Sequence, residues 1–284
     1  MPSRDQKPRD VVSKQELFQS WFATNESKRW CEKFMLVVTP LSIASLILGL
    51  VGSKGYQYCG KNEYLMFSFL MAAPCFVLPL FFSGSEDKKR PFHQRFWIKA
   101  NLWNLVFGYI GNYFWTHYFY QLLGAHYTFE SYRWNQVPIP CYLATHAYFC
   151  FYHTFATIIL RRVVNGTKGL PTLVRNLVKW LFILSLAYAT AVAETVTIAW
   201  FPYYSFDNWE KMVYFGSVFY ALYFVVSFPM YYRIDEDPEH EWNLTAVVLD
   251  SFAAAMIVTL LLDLWRIFVG SLNGLQFQGI PFIV

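Results

Sequence analysis

The chain has 284 residues, of which 56% are hydrophobic and 21% are aromatic, whereas only 15% are charged. Soluble domains of this length carry more charge and fewer aromatic rings, so the composition excludes an ordinary soluble globular protein and predicts a protein of the lipid bilayer. The net charge of +4 is modest, and the basic residues lie between apolar runs rather than on one polar face, which argues against nucleic acid as a partner.

The chain begins with a polar segment and continues with apolar runs. We expect residues 1–30 to form a solvated N-terminal arm with a short amphipathic piece at 17–22. Seven runs that are each long enough to cross a bilayer as a helix cover residues 34–51, 64–83, 97–116, 143–162, 178–200, 212–232 and 247–269. The sequence therefore predicts an all-α fold, a polytopic bundle of about seven transmembrane helices. A single membrane domain spans residues 31–270, and a short lumenal tail follows at 271–284.

The distribution of Lys and Arg predicts the orientation of this bundle. If each of the seven runs crosses the bilayer once, eighteen of the 23 basic side chains lie on the same side as the N-terminus and five lie on the opposite side. Loops that carry an excess of Lys and Arg stay in the cytosol. We therefore expect a cytosolic N-terminus and a lumenal C-terminus.

Two segments between the runs have unusual composition. Residues 117–142 are rich in aromatic side chains and histidine, which leaves two interpretations open: a lid that lies flat on the lumenal end, or an ordinary interfacial aromatic belt. The acidic run at 235–241 resembles a metal site at first sight, but clustered charge in a loop is usually solvated, and we interpret it so. A disulfide between Cys59 and Cys141, on the same predicted side, is left open.

Polar residues inside the apolar runs are the candidates for function, because ionisable groups in hydrocarbon are costly. Glu194 and Asp263 each lie six residues before the end of a run that points to the lumen. At 1.5 Å per residue, both carboxyls are expected roughly 9 Å inside that end. Asn112 lies near the same end, and His146 and His153 follow it on the fourth run. These groups are predicted to converge in the lumenal half of the bundle.

Each candidate has a structural alternative. Asp263 and Arg266 have the i,i+3 spacing of an ion pair on one helix. Asparagines in a span commonly only hold helices together, and a histidine among aromatic rings is commonly packed and hydrogen bonded. Glu194 is the strongest candidate, because no basic residue lies within two turns of it on its own run. Hydrocarbon favours the neutral carboxyl, which is the form that a general acid needs.

The chain lacks several motifs of common enzyme chemistry. We find no phosphate-binding glycine loop, no nucleophile elbow, no HExxH motif and no multi-histidine box, so no metal site is predicted. Two hypotheses remain. The first is an enzyme that transfers protons on an apolar substrate, and the second is a receptor or carrier for a hydrophobic ligand.

Longer motifs favour the enzyme. They read KANLWNLVFGYIGNYFWTHYFYQLLGAHYTF (99–129), AETVTIAWFPYY (193–204), YALYFVVSFPMYYRIDE (220–236) and DLWRIFVG (263–270). With these motifs, residues 27–270 resemble the cycloeucalenol cycloisomerases of sterol synthesis. The resemblance implies an isomerase of the endoplasmic reticulum membrane that opens the 9β,19-cyclopropane ring of cycloeucalenol, giving the Δ8 sterol obtusifoliol. It implies no cofactor, a sterol substrate taken from the bilayer, and membrane lipids and other sterol-pathway enzymes as partners.

The implied reaction protonates the cyclopropane, passes through a carbocation and loses a proton from C8. We assign Glu194 as the acid, with Asp263 as the alternative, and His146 or His153 as the base. Aromatic faces stabilise a cation, and polar groups hold the sterol hydroxyl. The predicted substrate-binding residues are Asn104, Asn112, Trp115, His117, Tyr203, Tyr204, Tyr220 and Tyr223.

The predicted orientation is tested by glycosylation mapping. An Asn-Ser-Thr acceptor tag placed after Val284 is expected to receive an N-linked glycan, and the same tag before Met1 is expected to receive none. Endoglycosidase-sensitive mobility on a gel reads out both. The natural Asn165 sequon falls on the cytosolic side, so a glycan on Asn165 would contradict the orientation.

Overall fold

The computed structural model describes residues 21–271, which form a bundle of long helices. The seven long helices are α1 (Glu26–Leu46), α2 (Lys61–Phe81), α3 (Phe96–Ile110), α4 (Ile139–Gly166), α5 (Thr172–Ile198), α6 (Ser217–Tyr232) and α7 (Leu244–Phe268). Short helical segments are Gly55–Tyr58, Ser85–Lys89, Phe92–Gln94, Thr116–Leu122 and Trp209–Lys211. A helix satisfies its own backbone hydrogen bonds, which hydrocarbon requires of any spanning segment.

The structure has six helices that are long and apolar enough to cross a membrane, among the described residues. These spans are Glu26–Gly52, Lys61–Phe81, Ile139–Gly166, Thr172–Ile198, Trp209–Tyr232 and Leu244–Phe268. The predicted run at 97–116 lies on α3 and the helical segments that follow it, but this path carries Lys99, Asn101, Asn104 and Asn112. The chain is a multi-pass membrane protein, and the seventh crossing and the cytosolic N-terminus stay predictions.

Helix α4 occupies the centre of the bundle, where it packs against α1, α2, α3, α5 and α6. Helix α3 packs against α1, α2, α4 and α7, and it supplies the large buried rings Trp103 and Phe107. These rings surround His153 of α4 with centroid distances of 5.1 and 5.9 Å, respectively. Aromatic side chains are therefore a large component of the core, where they bury large areas and pack edge to face.

Three π-helical segments interrupt the regular helices near one end of the bundle. Ile47–Gly52 extends α1, Gly111–Trp115 follows α3, and Met212–Gly216 precedes α6. A π segment widens the helix locally and is frequent at functional sites. Gly111 is required in its segment, because a Cβ there would lie 2.8 Å from the ring of Trp115.

Small strands cover the same end of the bundle. Strand β1 (Ala125–Tyr127) pairs antiparallel with β4 (Tyr204–Phe206), while β2 (Arg133–Trp134) pairs with β3 (Val137–Pro138). The predicted alternatives for segment 117–142 were a lid or an aromatic belt. The segment forms a folded cap, because β1 ties it to the chain that follows α5.

The opposite end of the bundle is held by a buried ionic cluster of Lys28, Glu32, Arg161 and Glu236. Arg161 lies 2.5 Å from Glu32 and 2.6 Å from Glu236, and Lys28 lies 2.8 Å from Glu236. Burial opposes the charge of Glu236, but hydrogen bonds from Arg161 and the charge of Lys28 lower its pKa. The stabilisation is therefore present at neutral pH and is lost as the pH falls through this lowered pKa.

The cluster changes two sequence-based interpretations. The acidic run at 235–241 is solvated only in part: Asp235 is buried against Lys99 at 2.5 Å and Glu236 belongs to the cluster, whereas residues 237–241 are exposed as predicted. Helix α1 begins at Glu26, inside the range predicted as an arm, and Lys28 is fully buried. Residues 1–20 of the predicted arm, with most of its amphipathic piece, lie outside the described residues, as does the predicted tail beyond residue 271. Cys59 and Cys141 are both free.

Removal of Arg161 tests the cluster. Arg161→Ala leaves the buried carboxylate of Glu32 without its partner, so we expect a loss of about 3–5 kcal/mol in the free energy of unfolding. The control is Arg266→Ala, which breaks an exposed pair and is expected to cost less than about 1 kcal/mol. Thermal unfolding of both proteins in the same detergent measures the difference. Equal losses would contradict a special role for the cluster.

Candidate active site

Two adjoining chambers, which share part of their wall, lie at the end of the bundle that the small strands cover. The larger has a volume of about 290 Å³ and the smaller of about 80 Å³. The side chains that line both chambers are Asn112, Tyr127, Thr145, Glu194, Ile198 and Tyr204. Their walls include residues of each π segment: Ile47, Leu50 and Val51, then Gly111 and Asn112, then Met212. The junction of the two chambers is therefore the candidate active site.

Glu194 lies at this junction. It is partly buried on α5, and its Oε2 accepts a hydrogen bond of 2.7 Å from the hydroxyl of Tyr220 on α6. Tyr152 of α4 interacts with the same carboxyl group. Hydroxyl partners orient a carboxyl without adding positive charge, so a neutral, protonated Glu194 is compatible with this apolar surrounding. Glu194 is the single Asp, Glu, Lys or Arg side chain among the residues that line the two chambers.

Aromatic rings form much of the wall around Glu194. Tyr127 of β1 stacks on Tyr204 of β4 with a centroid distance of 4.2 Å, and both rings reach the two chambers. Burial raises the pKa of Tyr127 and of Tyr204, so both hydroxyls stay protonated. Tyr220 and Tyr223 meet edge to face at 5.0 Å on the wall of the smaller chamber. The site offers ring faces that attract a positive charge.

A polar pair stands beside the carboxyl. The π segment after α3 places Asn112 on the wall, where its Nδ2 donates to the carbonyl of Gly108 at 2.8 Å. Its Oδ1 receives the hydroxyl of Thr145 from α4 at 3.5 Å, at the outer limit of a hydrogen bond. Both side chains therefore keep hydrogen-bonding capacity for a ligand.

The two histidines assigned as bases lie away from the chambers. The Nε2 of His146 is 2.8 Å from the Oδ1 of Asn101, and its ring stacks on Phe76. His153 is fully buried, with one ring nitrogen 2.8 Å from the carbonyl of Phe149 and the other 2.8 Å from the hydroxyl of Ser227. Since both nitrogens of His153 have partners, its placement is that of a structural core residue.

Asp263 and Asn104 also lie outside the site. Asp263 is 2.8 Å from Arg266 and accepts a hydrogen bond of 3.3 Å from Tyr118, and its side chain is 39% exposed. The ion pair given as the structural alternative is thus present. Asn104 is fully buried, and its Nδ2 donates to the carbonyl of Ala100 one turn earlier on α3.

Three of the predicted substrate-binding rings occupy other positions. Trp115 is buried in the core, where its Nε1 donates to Thr259 at 2.8 Å and its ring contacts Tyr223. His117 packs against Tyr120, and Tyr203 packs against Tyr56 and lies beside the chambers without lining them. Of the twelve predicted site residues, the structure brings five to the chamber walls. They are Asn112, Glu194, Tyr204, Tyr220 and Tyr223.

Other wall residues were not predicted. Tyr127, Thr145 and Tyr148 line the larger chamber, and Tyr152 reaches Glu194. Thr145, Tyr148 and Tyr152 are spaced i, i+3 and i+7 on α4, so they form one polar stripe on a helix. This i, i+3, i+7 spacing was the available signal for these residues.

Comparison with known proteins identifies the family. The cycloeucalenol cycloisomerase of Arabidopsis thaliana is 46% identical to this chain over 273 residues, which cover 92% of the chain and 95% of the relative. The chain belongs to the cycloeucalenol cycloisomerase family. No family model matches the chain, and no solved structure matches it.

Membership of the cycloeucalenol cycloisomerase family confirms the resemblance drawn from the sequence motifs. The name of the relative describes an isomerase that acts on cycloeucalenol. Within residues 21–271, no group of three or more His, Cys, Asp or Glu side chains is placed to hold a metal ion. The roles assigned to individual residues stay predictions.

An apolar carbodiimide tests the state of Glu194. N,N′-dicyclohexylcarbodiimide partitions into membranes and reacts with protonated carboxyl groups, so we expect it to modify Glu194. Mass spectrometry of the peptide that carries residue 194 detects the adduct, which should be absent from Glu194→Gln. Asp263 is the internal control, because its carboxylate is paired with Arg266. Labelling of Asp263 without labelling of Glu194 would contradict the prediction.

Proposed function

We propose that this protein is a sterol isomerase that opens the 9β,19-cyclopropane ring of a cyclopropyl sterol of the cycloeucalenol type, giving the Δ8 sterol. The observation that carries the proposal is the position of Glu194, an isolated carboxyl at the junction of two largely aromatic chambers in a member of this family. Protonation of a carbon–carbon bond needs a neutral acid in a site from which water is excluded.

Glu194 donates its proton to the cyclopropane methylene carbon. The bond between that carbon and C9 breaks, the methylene becomes a methyl group, and positive charge develops at C9. The hydrogen bond from Tyr220 at 2.7 Å orients the carboxyl and stabilises the carboxylate that remains. The faces of Tyr127, Tyr204 and Tyr223 stabilise the developing cation.

A base must then remove the proton from C8 to form the double bond. His146 and His153 were the predicted bases, but neither ring lines a chamber. The ring of His146 contacts Asn101 of α3, and the ring of His153 packs against Trp103 and contacts Ser227 in the core. The carboxylate of Glu194, formed in the first step, is the base that the chamber offers. Taking the C8 proton returns Glu194 to its acid form, so the cycle consumes no proton and requires no cofactor.

The sterol is taken from the bilayer, since a substrate of this kind is insoluble in water. We propose the endoplasmic reticulum as the membrane, with the N-terminus in the cytosol. The bias of basic residues toward that side supports the orientation. Membrane lipids surround the exposed apolar faces of the helices, and other enzymes of sterol synthesis act on the substrate before and after this step.

Substitution of Glu194 tests the proposed function. Glu194→Gln preserves the shape of the side chain but removes the acidic proton, so ring opening should fall by about 10²- to 10⁴-fold. Gas chromatography with mass spectrometry measures the Δ8 product formed from cycloeucalenol by the purified protein. Asp263→Asn is the matched control, because it removes a carboxyl that lies on the surface of α7, and near wild-type activity is expected. A Glu194→Gln protein with the wild-type rate would overturn the assignment.

A further inference from the structure

The two chambers on either side of Glu194 differ in chemistry. The apolar side chains on the wall of the larger chamber include Leu46, Ile47, Leu50, Val51 and Phe67. The smaller chamber has about a quarter of the volume and a more polar wall, to which Asn112, Thr116, Thr145 and Thr195 contribute. An elongated molecule with one polar end and one apolar end therefore has a preferred direction in this site.

We propose that the sterol binds with its 3β-hydroxyl on Asn112 and Thr145, at the mouth of the smaller chamber, and with its C17 side chain in the larger chamber, directed toward the π segment Ile47–Gly52. This orientation rests on the proposed function, because it takes a cyclopropyl sterol as the ligand. It assigns a hydroxyl-binding subsite to a pair of residues on two different helices.

The hydrogen bonds of Asn112 and Thr145 favour this subsite. One N–H of the Asn112 amide donates to the carbonyl of Gly108, and its Oδ1 is the acceptor that faces Thr145. The contact between Oδ1 and the Thr145 hydroxyl is long, at 3.5 Å. A ligand hydroxyl between them can donate to Asn112 and accept from Thr145, which gives two partly satisfied groups good partners.

The position of the reacting bond agrees with this direction. In a cyclopropyl sterol the three-membered ring lies on the rigid ring system, between the hydroxyl of ring A and the side chain at C17. Asn112, Thr145 and Glu194 all belong to the wall that the two chambers share. A sterol with its hydroxyl on Asn112 therefore has its cyclopropane close to the carboxyl of Glu194.

The reverse direction places each end in the wrong surroundings. The branched aliphatic side chain would enter a chamber of about 80 Å³ with a polar wall. The hydroxyl would lie in the larger chamber, whose wall is mainly apolar and offers only scattered partners such as Ser68, Tyr148 and Thr197, so its burial there is less favourable. The polarity and the volume of the chambers thus select the same orientation.

The larger chamber also reaches the outside of the bundle. Ile47 and Trp200 line it and are themselves exposed, by 37% and 77%, between the end of α1 and the end of α5. A sterol that enters from the bilayer through this opening with its hydroxyl first reaches Asn112 while its side chain still lies in the apolar part. The proposed pose is therefore accessible without reorientation inside the site.

A substrate lacking the hydroxyl tests the subsite. The kcat/KM of wild-type protein is measured for cycloeucalenol and for its 3-deoxy analogue, and we expect the analogue to lose about 10-fold or more. In Thr145→Val and in Asn112→Leu this loss should shrink to within about 3-fold, because the partner of the hydroxyl is gone. Both substrates are measured on one preparation, so a reduced amount of folded protein cancels in the ratio.

Thr197→Val is the matched control, since Thr197 lines the larger chamber but not the smaller one. In this variant the 3-deoxy analogue should still show the full loss of kcat/KM relative to cycloeucalenol. An unchanged loss in both Thr145→Val and Asn112→Leu, with active wild-type protein, would overturn the orientation but not the proposed function. Wild-type protein that leaves the cyclopropane intact would instead overturn the proposed function.

Photolabelling tests the other end without relying on turnover. A cyclopropyl sterol with a diazirine at the end of its C17 side chain should label residues of the larger chamber, such as Leu50 or Phe67, in the wild type and in Glu194→Gln. Excess cycloeucalenol should prevent the labelling. Adducts on Phe119 or Met212, which line the smaller chamber, would contradict the proposed direction.

Discussion

Hydrocarbon offers no hydrogen bonds, and this constraint governs the placement of every polar side chain in the bundle. At one end, charges are neutralised in place: Arg161 joins Glu32 to Glu236, and Lys99 joins Asp235. Within the core, Asn101 of α3 donates to the carbonyls of Trp97 and Cys75, and its Oδ1 lies 2.8 Å from the Nε2 of His146 on α4. Satisfied groups hold helices in one arrangement and have little capacity left for a ligand.

Glu194 satisfies the same constraint in a different way. Its partners are hydroxyl groups, from Tyr220 and Tyr152, rather than a cation. Within residues 21–271, the buried carboxylates Glu32 and Asp235 instead contact Arg161 and Lys99, respectively. Asp87 is also held by a hydroxyl, that of Ser27, but it does not line either chamber. A carboxyl that is not held by a positive charge can keep its proton in an apolar chamber, and this property makes Glu194 the candidate acid.

Irregular helix geometry shapes the chambers at the end of the bundle that the small strands cover. Each of the three π segments found in the described part of the chain contributes to a chamber wall, and the segment after α3 places Asn112 opposite Thr145. The pairing of β1 with β4 brings Tyr127 onto Tyr204, and both rings form part of the walls of the two chambers. The ionic cluster lies at the far end. Ion pairs therefore hold the helices together at one end of the bundle, and π segments form part of the chamber walls at the other end.

The sequence alone was sufficient for the membrane class, the approximate positions of the long helices and the family, and it singled out Glu194, whose role as the acid stays a prediction. These features depend on local composition and on motif, which are visible without coordinates. Spacing along a helix also predicted a common depth in the bilayer for Glu194 and Asp263. It did not give the direction in which each side chain points, because that direction depends on which helices pack against which.

The tertiary structure decided that direction. Glu194 faces the chambers, whereas Asp263, at the same predicted depth, lies half exposed on α7 beside Arg266. Thr145 and His146 are neighbours in the chain, but successive residues of a helix point to different faces, so Thr145 meets Asn112 and His146 meets Asn101. Contacts between distant segments also decided that Asp235 meets Lys99 and that Glu236 joins the buried cluster with Lys28 and Arg161. Depth follows from the helix repeat, but convergence on a site follows from contacts between distant segments.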